Sequence, residues 1–118
     1  MRKQFNQTIL SAQGMSARDV KMEMYQKYWD ESQKNHKSPM QFYVGISNDM
    51  DANYSRHKND EFCGFDFSYL CIYECDNAEI AAEVEKLMAD SGFDCGGTET
   101  PGNGGVKDSV YVYMFEKE

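Results

Sequence analysis

Phe42-Tyr43-Val44-Gly45-Ile46-Ser47-Asn48-Asp49 is the stretch that decides how this chain folds. Aromatic and β-branched residues run to Gly45 and Ile46, which favours a strand. Ser47, Asn48 and Asp49 then break the run and supply helix-capping side chains. Beyond them Met50, Tyr54 and His57 recur at i, i+4 and i+7, the spacing of one helix face. The segment therefore reads as a strand over residues 40–47 that turns directly into a helix over 49–58. The turn sets the Tyr43 hydroxyl beside that helix.

Working outward, residues 65–75 form the longest strand pattern. Phe65, Phe67, Tyr69, Cys71 and Tyr73 alternate on one face, and Leu70 and Ile72 make the other apolar as well. Val110-Tyr111-Val112-Tyr113-Met114-Phe115 has the same two-sided character. Strands apolar on both faces belong to a sheet covered on two sides. Between them, Asp76-Asn77-Ala78-Glu79 reads as a capping box. It opens a helix whose stripe is Ile80, Val84, Leu87 and Met88, and which stops at Ser91-Gly92. Upstream, Ser16-Ala17-Arg18-Asp19 is a similar start for a helix over residues 17–33. That helix is expected to dock through Met24, Tyr28 and Trp29. Residues 1–15 read as a tail or a short helix, and 32–39 as a polar connector ending at Pro39.

The expected architecture is a small α/β (α+β) domain: a three-stranded sheet flanked by helices over residues 39–118, with an added N-terminal helical extension over 1–38. At 118 residues the chain suits one modest core. No apolar run approaches the ~20 residues that span a bilayer, and the N-terminus lacks the apolar core of a secretory signal. The expected location is cytoplasmic, with no membrane partner. Cys63, Cys71, Cys75 and Cys95 show no C-x2-C spacing, so they read as reduced thiols, those at 71 and 75 in the core.

Charge is unevenly distributed. Residues 1–38 carry seven Lys or Arg against four acids, whereas residues 39–118 carry five against sixteen. A body with a net charge of −11 repels a phosphate backbone and disfavours generic nucleic-acid binding.

The run from Tyr43-Val44-Gly45 through Asn48-Asp49 to Arg56-His57 resembles the second half of the signature of the GIY-YIG nuclease family. The resemblance implies a fold of this architecture and a metal-dependent cleavage of phosphodiesters. It implies Tyr43 as general base or its assistant, Arg56 as a displaced stabiliser of phosphorane charge, and His57 at the family's histidine. It also implies Glu83 as the ligand of one Mg²⁺ or Mn²⁺ and Asn103, in the glycine-rich segment 95–105, as the supporting asparagine. The physical need for such a set is general: a deprotonated nucleophile, and positive charge against the phosphate oxygens.

Each residue also has a plainer role. Tyr43 can pack on the sheet, Arg56 can match the basic residue that commonly precedes the family's histidine, and His57 can pack or cap. Asn103 can supply a turn, and Glu83 can be solvated on the helix flank. At ~100° per residue Glu83 falls about 60° from Ile80, whereas Glu85 falls near 140° and is expected to face solvent.

The family's upstream Gly-Ile-Tyr strand has no counterpart here. The positions where relatives carry arginine read Asp51, Ala52 and Asn53. The expected function is therefore that of a divergent, catalytically impaired domain that binds a basic protein partner. The alternative is an active divalent-metal-dependent endonuclease.

Overall fold

The computed structural model describes residues 8–58, 69–95 and 109–117. Strand β1 (Leu10–Ser11) leads into helix α1 (Ala17–Asn35), and a 3₁₀ turn (Pro39–Gln41) leads into strand β2 (Phe42–Ser47). Helix α2 (Met50–Lys58), strand β3 (Cys71–Glu74), helix α3 (Ala78–Asp90) and strand β4 (Tyr111–Glu116) follow. The fold is of mixed α and β type. Its sheet has the order β1-β3-β4-β2, with β1 parallel to β3 and the other pairs antiparallel.

The two-sided strand pattern is realised as two packed faces. Phe42, Val44 and Ile46 of β2 join Val112 and Met114 of β4 and Cys71 and Tyr73 of β3 in one core. Helices α1 and α3 cover it with Val20, Met24, Tyr28, Ala81, Val84 and Met88. On the opposite face Ile72, Tyr113 and Phe115 pack with Met50 of α2, flanked by Tyr43, Tyr54 and Tyr111. Alternation along a strand sends neighbours to opposite sides, so Tyr43 and Val44 belong to different cores.

Several expectations are corrected. Among the described residues the sheet has four strands, because residues 10–11 are neither tail nor helix. They pair with Tyr73 and Glu74, and the Ala12 N–H donates to the Glu74 carbonyl at 2.9 Å, which covers an edge of β3 that would otherwise be open. The N-terminal helical extension shares the main core of the fold. Ala12, Ala17, Val20, Met24 and Tyr28 pack in the same core as β2 and α3, so this segment is built into the fold.

Helix α1 begins as expected, with the Ser16 hydroxyl accepting from the Asp19 N–H at 3.2 Å. It buries Val20, Met24 and Tyr28, one every turn, while Trp29 turns about 100° away from Tyr28 and remains 48 % exposed. At α3 the cap is Asn77, whose Oδ1 accepts from the Ile80 N–H at 2.9 Å. Asp76 instead accepts from the Gly14 N–H at 3.0 Å and ties the turn after β1 to the start of α3. The helix ends as expected, with Gly92 at φ 101°.

The remaining difference along α3 concerns its carboxylates. The buried stripe comprises Ala81, Val84, Glu85 and Met88, so Glu85 is 6 % exposed and Glu83 faces solvent. The helix meets both the sheet and α1, and Ala81 is fully buried in the shared core. Glu85 is covered from the side of Cys95, whose Sγ donates to the Glu85 carbonyl at 3.5 Å where the chain past α3 runs beside the edge of β2.

Candidate functional site: the aromatic face beneath α2

Tyr43 borders the second core, whose buried members are Met50, Tyr69, Ile72, Tyr113 and Phe115. Its ring stacks on Phe115, with centroids 5.2 Å apart, and on Tyr113 at 6.2 Å. Gly45, two residues on and on the same side of the strand, makes room for Tyr113. A Cβ there would lie 2.5 Å from the Tyr113 hydroxyl oxygen and 3.0 Å from Cε1 of Tyr43. Glycine at this point of the Tyr-Val-Gly run is thus a steric requirement of the aromatic face.

Above the rings lies α2. Asp49 starts it, its Oδ1 accepting from the Ala52 N–H at 3.2 Å, while the Ser47 hydroxyl accepts from the Asp49 N–H at 3.0 Å. These contacts fix the angle at which the chain leaves β2, and so aim Met50 and Asn53 at the sheet. Asn53 is 3 % exposed. Its Nδ2 donates to the Tyr113 hydroxyl at 3.1 Å, and the Tyr69 hydroxyl donates to its Oδ1 at 2.7 Å. One amide thereby links the helix, the approach to β3 and the centre of β4. Tyr69 also meets Tyr113 edge-on at 5.4 Å. It lies on this face and not with Cys71 and Tyr73, as strict alternation predicted, because the regular strand begins only at Cys71.

Beside Tyr43 the outer edge of β2 is partly covered. The Val44 N–H donates to the Asp94 carbonyl at 2.8 Å, and the Asp94 N–H donates to the Phe42 carbonyl at 3.1 Å. Lys117 pairs with the Asp94 carboxylate at 2.8 Å, and Lys37 pairs with Glu116. At the other end of the face the Tyr111 phenol is pushed above its ordinary pKa, first by burial and then by the Glu74 and Asp49 carboxylates. Tyr73, on the opposite side of the sheet, is raised by burial and by its hydrogen bond to Glu23.

Of the residues expected to form a catalytic set, Tyr43 lies on the face covered by α2. Arg56 and His57 fall in the last turn of that helix, and their side chains lie outside the described residues, as do Asn103, Cys63 and most of the glycine-rich segment. Glu83 is not brought to Tyr43. It is exposed on α3, which packs against the Phe42, Val44 and Ile46 face, so the sheet stands between them. Among the described residues no three His, Cys, Asp or Glu side chains gather to hold a metal ion.

What the sequence reading missed is Asn53 with its two tyrosine partners. Its signal was present: Asn53 falls three residues after Met50, on the same helical stripe, and Tyr113 alternates with Tyr111 and Phe115. Tyr69 carried no such signal, since its placement depends on where β3 begins. No helix among the described residues is long and apolar enough to cross a membrane. In comparisons with known proteins the chain matches no family model, no curated protein and no solved structure.

Proposed function

We propose that this chain is a catalytically impaired relative of the GIY-YIG nucleases that works by binding a basic protein partner. The observation that carries the reading is the position of Glu83, exposed on the far side of the sheet from Tyr43. A carboxylate there cannot hold a metal against a phosphate that Tyr43 also approaches. Asn53 supports the same reading. It falls where relatives carry an arginine, yet it is buried and committed to Tyr113 and Tyr69. Loss of one transition-state charge stabiliser typically costs ~10² to 10³ in rate. The net charge of −8 favours a basic partner over a phosphate backbone.

The test is cleavage of labelled single- and double-stranded DNA and RNA with Mg²⁺ or Mn²⁺, comparing wild type, Tyr43→Phe and Glu83→Ala. The expected result is no cleavage above a metal-free control. Metal-dependent cleavage that both substitutions abolish would overturn the reading in favour of an active endonuclease.

A further inference from the structure

Helices α1 and α3 pack side by side on one face of the sheet, and their outer sides form a single flank of the molecule. On α1 this flank exposes Met22 (58 %) and Trp29 (48 %), with the half-buried Tyr25 between them. Met22 and Trp29 are seven residues apart, two turns or about 10.5 Å along one stripe. The outward face of a helix that already buries Val20, Met24 and Tyr28 is ordinarily polar. Tyr25 meets Phe93, just past α3, edge-on at 5.9 Å, so the stripe runs along the α1 side of the helix pair. Met40, also 58 % exposed, sits on the 3₁₀ turn whose Pro39 lies beside Gly92 at the end of α3. On α3 the exposed stripe carries Glu79, Glu83 and Asp90 against one base, Lys86.

We propose that this flank is a docking surface for a cationic amphipathic helix of a partner protein. Its apolar side chains would seat over Met22 and Trp29, clear of the Lys21 ammonium that lies 5.2 Å over the Tyr25 ring, and its Lys or Arg residues would face Glu79, Glu83 and Asp90. The inference rests on the binding reading above and gives it a surface. Two exposed apolar side chains two turns apart offer contacts along the length of a helix laid beside α1. Tryptophan is among the residues that concentrate binding energy, and methionine adapts to varied partners. Charge decides against the other occupants. Two copies of a chain of net charge −8 would set their α3 acids near one another, and a nucleic acid would be repelled.

Trp29 is the only tryptophan, so its emission reports on this surface alone. The full chain is titrated with a synthetic helical peptide of roughly 18 residues, five turns, with leucine on one face and lysine on the other. A lysine-only peptide and a leucine/glutamate peptide serve as controls. The expected result is saturable binding of the leucine/lysine peptide with a blue shift of the emission. It should weaken at least about fivefold in Met22→Asp and in the triple charge reversal Glu79→Lys, Glu83→Lys, Asp90→Lys, each of which retains its circular dichroism spectrum because these positions are exposed. No saturable binding would overturn the proposal. So would equal binding of the lysine-only peptide without a blue shift, which is attraction by charge alone. A blue shift on concentrating the protein without peptide would overturn it in favour of self-association. Cleavage of nucleic acid by a chain that still binds the peptide would sink the functional reading alone. A chain that neither cuts nor binds would sink this surface alone.

Discussion

Gly45→Ala should destabilise the protein by about 2–3 kcal/mol, although it adds one methyl group and exchanges a residue that weakens strands. The new Cβ would lie 2.5 Å from Oη and 2.7 Å from Cζ of Tyr113, and 3.0 Å from Cε1 of Tyr43. Carbon contacts are comfortable near ~3.5–4.0 Å, so the Tyr113 ring must retreat by about 1 Å. Tyr113 is almost fully buried, stacked on Phe115 and bonded to Asn53, so it cannot swing into solvent. Overpacking of this kind costs about 1–3 kcal/mol. Stretching the Asn53 hydrogen bond inside a buried site adds about 1–2. Against these, alanine restricts the unfolded chain and favours the folded one by about 0.4–1 kcal/mol. At about 2.1 cal/mol/K of unfolding entropy per residue, the net cost corresponds to a loss of roughly 8–12 °C in Tm. Urea and thermal unfolding of wild type, Gly45→Ala, Tyr113→Phe and the double variant measure it. Removing the hydroxyl should relieve part of the clash, so the double variant should be more stable than the two single losses added together. A Gly45→Ala protein within about 0.5 kcal/mol of wild type, or strict additivity in the cycle, would refute the close approach of Tyr113 to β2.

Asn53→Ala should cost about 2–4 kcal/mol in urea unfolding, because Tyr69 and Tyr113 each lose a buried hydrogen-bond partner. Asn53→Asp should also destabilise, since it places a carboxylate at a position only 3 % exposed. Burial raises the thiol of Cys71 to about 12, and burial with the neighbouring Asp76 raises that of Cys75 to about 11. Burial, then Glu85 and Asp94, raises Cys95 to about 12. These thiols should be inert to a disulfide reagent at pH 8 in the native protein and react on unfolding, as peptide mapping of the labelled sites would show. Each folded pKa lies above the ordinary thiol value of 9.0, so the stability tied to the protonated thiols is complete below pH 9 and is lost as pH rises toward 11–12. Denaturant midpoints measured from pH 8 to 11 should therefore fall, and Cys71→Ala should flatten the decline.

Elements whose character is written in local periodicity were legible without coordinates. Ser16 and the repeat of Val20, Met24 and Tyr28 specify α1, and the alternation in residues 110–115 specifies a central strand. Faces decided by a distant neighbour were not. The burial of Glu85 follows from the chain past α3 turning back so that Cys95 lies against it, which the stripe of the helix does not record. Strand β1 has too few residues to show a period at all, and only its pairing with β3 defines it. Within the candidate site, Tyr43 and Gly45 could be chosen from their own motif, and Asn53 from its place on the helical stripe. Tyr69 could not, because its ring follows the point where a strand gives way to irregular chain.

The order β1-β3-β4-β2 places β4 between two partners that precede it in the chain. During synthesis, therefore, neither β2 nor β3 has its main neighbour until residue 116 has cleared the ribosome. Before then the sheet can hold only the two-residue pairing of β1 with β3 and the contact of Asp94 with β2, and the inner edges of β2 and β3 stay open. Assembly of this sheet is a closing event rather than a gradual one. A premature stop just before Tyr111 would leave a chain with most of its residues and no stable part of its fold.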